Sequence, residues 1–132
     1  MPVSAEQAND LARAYTAAWN AGSPDAVAAF FAETGQIIIN DGDPWLGHAG
    51  VAEMAAGFFT DVPDLALTCD GVRVAGDHLV YLWTFTGTHA TSKRALRVTG
   101  WEEWDLNADL IVVLSCGWFD AEDYARQTGA AM

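Results

Sequence analysis

The sequence predicts an α+β fold: one mostly antiparallel sheet buries a face under helices drawn from the N-terminal half. Three observations carry this. Residues 4–60 read as helices with one short apolar strand between them, and residues 65–119 read as four strands joined by turns. The third is composition, 52% hydrophobic and 18% charged, which supplies a core to hold two layers together. At 132 residues the chain fits a single domain, 1–132, long enough to bury roughly two thirds of the surface its unfolded form exposes.

Ser4 followed by Gln7 is a capping-box pattern that opens a helix running to about Ala21. Ala8, Leu11, Ala12, Tyr15, Ala18 and Trp19 recur at helical spacing on one face. Asn20-Ala21-Gly22 ends it. Ser23-Pro24-Asp25 starts a short second helix with a cap, a first-turn proline and an early acid. That helix packs Val27, Phe30 and Phe31 and is expected to finish near Glu33-Thr34-Gly35. Gln36 to Asn40 holds three consecutive isoleucines, a short buried strand by β-branching and length. After the Asp41-Gly42-Asp43-Pro44 turn, a third helix covers about His48 to Thr60, and Pro63 lies beyond its end.

Strands are expected over Leu65–Ala75, His78–His89, Ala95–Leu106 and Leu110–Phe119, with turns at Gly76-Asp77 and Asn107-Ala108-Asp109. Asp120 caps a last helix to about Gln127, and the tail beyond it is expected to fray. Long strands of this kind can curl round the helices and leave a closed-ended cavity, and six tryptophans suit its apolar lining.

Eighteen acids against six bases leave a net charge of −12, which excludes the basic footprint of a nucleic-acid or anionic-membrane partner. No stretch approaches the roughly twenty apolar residues of a membrane span, and the polar start MPVSAEQAND lacks a leader pattern, so a cytoplasmic location is expected. Cys69 and Cys116 match no zinc spacing and are too few for a disulfide framework; two buried thiols are the favoured reading, and a single bridge between them is the alternative. Three dispersed histidines and the lack of a glycine-rich phosphate cradle imply neither metal nor cofactor.

ARAYTAAWNAGSPDAVAAFFAETG (12–35), DPWLGHAGVAEMAAGFF (43–59), LWTFTGTHA (82–90) and RVTGWEEWDLNADLIVVLSCGWFD (97–120) resemble the superfamily of nuclear transport factor 2, ketosteroid isomerase and the SnoaL-like polyketide cyclases. The resemblance spans nearly the whole chain. It implies a cone: a curved mixed, mostly antiparallel sheet wrapped around three N-terminal helices. It also places Tyr15 where ketosteroid isomerase keeps an oxyanion-donating tyrosine, and Glu102 where it keeps a protonated aspartate. At the place of that enzyme's base this chain has Ile39, with Asn40 and Asp41 beside it, so Asp41 is held as a reserve base. The cyclases instead put their acid–base pair around the segments matching THA and WEEW, and the Asp-Arg-Asp set of the epoxide hydrolases is not reproduced. Isomerases, cyclases, hydrolases and proteins without chemistry share this cone, so fold alone does not assign activity.

Alternation then sorts the candidates. Leu96, Val98, Gly100, Glu102, Trp104 and Leu106 share one strand face, apolar but for Glu102, where burial would raise the carboxyl pKa and suit it to move protons, unless it lies at a solvated mouth. Val112, Leu114, Cys116 and Trp118 form one set of the last strand; Ile111, Val113, Ser115, Gly117 and Phe119 form the other. Both are apolar, which predicts cover on both sides. The pocket is expected to be walled by Trp19, Phe58, Trp83, Trp104, Leu114, Cys116 and Trp118, and a homodimer to form through Trp101, Ile111, Val113 and Phe119. Cys116 with His89 as its base is a weaker nucleophile reading.

The leading functional expectation is cofactor-independent acid–base chemistry, of isomerase, cyclase or lyase type, on a small hydrophobic carbonyl compound. Glu102 or Asp41 would shuttle the proton and Tyr15 would stabilise charge on oxygen. The alternative is a hydrophobic-ligand binder or scaffold of the same fold, natural or engineered.

Overall fold

Alanine-rich segments and β-branched or aromatic segments sort along the chain into two layers. The computed structural model describes residues 3–129; the tail expected to fray lies largely outside them. Helix α1 (Ala5–Asn20) begins at the Ser4 box: Ser4 Oγ accepts the Gln7 amide and Gln7 Oε1 accepts the Ser4 amide, each at 3.0 Å. Its buried face is Ala8, Ala12, Tyr15, Ala18 and Trp19. The alanines there let the helix lie close to the sheet while Tyr15 and Trp19 reach into it.

Helix α2 (Pro24–Ala28) is shorter than expected, and strand β1 (Phe31–Ile39) starts where the helix was to continue. Sheet pairing overrides local helix preference here: Phe31 pairs with Val112, and the Val112 amide bonds to the Phe30 carbonyl at 2.9 Å. The strand is irregular between Phe31 and Gln36, where Gly35 packs so closely that a Cβ would lie 3.0 Å from the Val112 carbonyl oxygen. A two-residue strand β2 (Trp45–Leu46), not expected from sequence, precedes α3 (Gly47–Asp61).

Strands β3 (Ala66–Ala75), β4 (His78–Thr88), β5 (Ala95–Leu106) and β6 (Val112–Phe119) follow, then α4 (Ala121–Thr128). They form one curved six-stranded sheet in the order β2-β1-β6-β5-β4-β3, antiparallel except where β1 runs parallel to β6. The last strand begins two residues later than expected because Leu110 takes a left-handed φ of 63° in a turn held by Asn107, whose Oδ1 accepts the Asp109 and Ile111 amides. Among the described residues no helix is long and apolar enough to cross a membrane.

One irregularity bears directly on the site. Leu106 pairs with Val112 and Asp105 with Leu114, so Val113 is a bulge residue. Beyond it, Ser115, Gly117 and Phe119 share the inner face with Trp104, Glu102 and Gly100, while Leu114, Cys116 and Trp118 lie on the outer face with Asp105, Glu103 and Trp101.

Candidate active site

Glu102 reaches the interior because β5 alternates without a break: Leu96, Val98, Glu102, Trp104 and Leu106 are all buried and their neighbours in sequence are not. Glu102 keeps 7% of its surface accessible. Its Oε1 accepts three hydrogen bonds, from Trp104 Nε1–H at 3.1 Å, Ser115 Oγ at 2.9 Å and the Tyr15 hydroxyl at 3.1 Å. Its Oε2 accepts only the Tyr15 hydroxyl, at 3.0 Å, so that one phenolic proton straddles both oxygens. Each donor is neutral. All six Lys and Arg residues are exposed, and none supplies Glu102 with a counter-charge.

Burial therefore raises the Glu102 carboxyl above its ordinary value, and the bonds from Trp104, Ser115 and Tyr15 offset only part of the effect. Burial, then the Glu102 charge, hold the Tyr15 phenol well above its usual range, so it stays a neutral donor. The Tyr15 ring is fixed edge-on against Trp104 and Tyr81, at 4.9 and 5.4 Å. Tyr81 in turn stacks on Trp104 at 5.3 Å and hydrogen-bonds Thr16.

Two adjoining pockets open from this carboxyl, with about 340 and 310 Å³ of empty space, mouths included. Phe58, Trp83 and Glu102 line both. Trp19, Leu65, Leu67 and Phe85 complete the first; Ile37, Ile39, Met54, Gly117 and Phe119 complete the second. Among the described residues, Glu102 is the sole titratable side chain on these walls. Much of that volume is open mouth, and the enclosed part is far smaller. As it stands, the space suits a molecule of about one small ring.

Not every expected site residue is here. Tyr15 touches Glu102 but is fully buried and off the cavity wall, so it positions the carboxyl instead of facing a ligand. Trp19, Phe58 and Trp83 line the cavity, whereas Trp104 lies behind Glu102. Leu114, Cys116 and Trp118, expected in the pocket, face outward because the Val113 bulge reverses the alternation beyond it. For the same reason Phe119, expected on the outer face, lines the cavity. Asp41 is exposed in a left-handed turn, φ 59°, pinned by Asn40, whose Oδ1 accepts the Phe119 amide. Its charge, after burial, Glu103 and Asp105, helps raise the outward Cys116 thiol. His89 is used in its own turn with Ser92, so no base attends that thiol there.

Sequence reasoning missed Ser115, whose signal was a single hydroxyl in an otherwise apolar strand. No group of three or more His, Cys, Asp or Glu among the described residues could hold a metal ion.

A family model described as the SnoaL-like domain matches residues 12–114. The chain belongs to the SnoaL-like domain family. Among curated proteins, none matches this SnoaL-like protein in sequence. Solved structures share its fold at low identity. A candidate SnoaL-like polyketide cyclase from Jannaschia sp. CCS1 is 17% identical, with TM-score 0.85, over 100% of this chain and 96% of that one. TsrD from Streptomyces laurentii is 22% identical, with TM-score 0.83, over 96% and 98%. A protein with a ketosteroid isomerase-like fold from Catenulispora acidiphila, solved in complex with trimethylamine, is 17% identical, with TM-score 0.83, over 91% and 92%.

Proposed function

We propose that the protein carries out cofactor-independent acid–base chemistry on a small, largely apolar carbonyl compound, with Glu102 moving the proton. The observation that carries this is the asymmetry of Glu102: Oε1 is saturated by three donors, while Oε2 keeps a lone pair beside an apolar cavity. A carboxylate so placed is partly desolvated, hence more basic than in water, and its orientation is fixed before a substrate arrives. It is suited to take a proton from carbon next to a carbonyl and return it elsewhere on the same molecule. Tyr15, Trp104 and Ser115 hold it in place and temper its basicity. Ile39 on the cavity wall leaves no second carboxylate among the described lining residues, so one group serves as base and then as acid. The family and the neighbours assigned to cyclase chemistry support this class of reaction.

The test is proton exchange. Cyclopentanone, cyclohexenone and a β-keto lactone are incubated with the protein in deuterated buffer and followed by NMR. The wild type is expected to accelerate exchange next to the carbonyl of at least one of them, and Glu102→Gln to remove the acceleration. Equal exchange by both proteins refutes the assignment.

The outer sheet face carries a second expectation, self-association. Trp101 and Val113 are exposed there, Leu114, Cys116 and Trp118 are half-buried beside them, and Ile111 lies at the edge. The apolar patch that Trp101, Val113, Leu114 and Trp118 form on this face favours a second copy as its cover.

A further inference from the structure

The cavity walls are not uniformly greasy. Phe58, Phe85, Trp83 and Phe119 form a closed circuit, with successive ring centroids 6.3, 6.0, 6.4 and 6.3 Å apart. Phe58 and Trp83 line both pockets together with Glu102, Phe85 lines the first and Phe119 the second, so a cation seated in either lies beside three of these rings, and a ring quadrupole attracts a cation within ~6 Å of its centroid. Glu102 lines both pockets that these rings bound, and the protein supplies it with no cationic partner.

The approach carries the same sign. A wider hollow of about 570 Å³ adjoins the second pocket through Ile39, Met54 and Phe58, and Glu53 and Asp61 line it. A net charge of −12 adds a field that draws cations toward the surface. A neutral hydrocarbon would use none of this and would leave the carboxyl without a counter-group.

We propose that the aromatic-walled cavity beside Glu102 is a binding site for a compact alkylammonium cation, held among these rings and paired with the carboxylate of Glu102. The site goes beyond the acid–base reading, since it shares Glu102 but requires no turnover. The small free space favours methyl-sized substituents on the nitrogen. The groups facing Glu102 are Tyr15 from α1, Tyr81 from β4, Trp104 on its own strand and Ser115 from β6, all neutral. Its ionisation is therefore the change to which binding is coupled: the cation captures the charged form and expels a proton.

Calorimetric titration of the intact protein with tetramethylammonium chloride, against tert-butanol of the same shape without charge, tests this. At about pH 8 the cation is expected to saturate one site at least about tenfold more tightly than the alcohol. Glu102→Gln should bring the cation down to the level of the alcohol. Trp83→Leu should weaken the cation about tenfold and the alcohol distinctly less. In the wild type, affinity for this permanently charged probe should fall about tenfold per pH unit once Glu102 protonates. Equal affinity for the two probes, no saturable cation binding, or cation binding indifferent to both substitutions and to pH overturns the proposal. If Glu102→Gln does not fold, Trp83→Leu and the pH series decide. Carbonyl exchange without cation binding defeats this site alone; cation binding without exchange defeats only the catalytic reading.

Discussion

Replacing Glu102 by Gln should change the pH dependence of stability in a direction the structure dictates. In the wild type two effects oppose: three donors favour the charged carboxylate, and burial disfavours it. Burial wins, so the folded pKa stands above the unfolded reference of 4.5. The folded state then binds more protons than the unfolded state between those two values, and stability falls as pH rises through that window. Each unit of elevation corresponds to about 1.4 kcal/mol lost by the time the folded carboxyl has ionised. Gln keeps the shape, offers its amide oxygen to Trp104 and Ser115, and carries no titration. The variant should therefore match the wild type within about 1 kcal/mol under acid conditions and become the more stable of the two at neutral pH. Urea unfolding followed by tryptophan fluorescence, at constant salt across the pH range, measures this. A difference that stays flat with pH, or one in which the wild type gains on Gln as pH rises, would show that the donors outweigh burial and that the carboxylate is a structural acceptor.

Tyr15→Phe removes the donor shared by both oxygens in a fully buried setting and should cost about 1–3 kcal/mol in the same assay. It should also move the pH profile of carbonyl exchange upward, because the charged form of Glu102 loses a hydrogen bond. Ser115→Ala should shift that profile the same way and at least as far, whereas Cys116→Ala on the opposite face should leave exchange unchanged. Gly100→Ala would drive a Cβ to 2.2 Å from the Trp118 carbonyl oxygen and 2.6 Å from the Trp83 ring. An overpacking cost of about 3 kcal/mol or more and a displaced Trp83 fluorescence signal are expected. Sedimentation should show about twice the 14.1 kDa chain mass, reverting to a monomer in Trp101→Glu; a wild-type monomer at micromolar concentration refutes the outer-face interface.

Where periodicity ran unbroken, the sequence was legible down to single side chains. Helix α1 has a paired cap and a clean apolar stripe, so its inward Tyr15 and Trp19 followed. Strand β5 alternates for twelve residues, which put Glu102 inside without any knowledge of its partners. Legibility failed wherever counting crossed an irregularity. The break between Phe31 and Gln36 is a pairing effect, invisible to a local reading that saw a helix there. The bulge at Val113 left Val112 correctly inside and then inverted every later assignment on β6, because both of its faces are apolar and no polar residue marked the change. Asp41 looked close to the pocket along the chain, but two successive left-handed residues turn it away. That Ser115 joins Trp104 on one carboxylate oxygen of Glu102 is a cross-strand fact, with no trace in β5 or β6 alone.

The spare residue in β6 also bears on how the protein folds. With Val113 drawn into regular pairing, the β5–β6 hairpin would slip by one, carrying Leu114, Cys116 and Trp118 inward on a face just as greasy as the native one. Hydrophobicity alone discriminates weakly between the two registers. What selects the native one is polar: the Ser115 bond to Glu102 across the hairpin and, from 79 residues away, the Asn40 clamp on the Phe119 amide. Refolding should thus divide into a direct phase and a slower one that waits on realignment of the hairpin. A chain lacking Val113 keeps Leu106 opposite Val112 and Asp105 opposite Leu114 with nothing left over, so the slower phase should vanish from it.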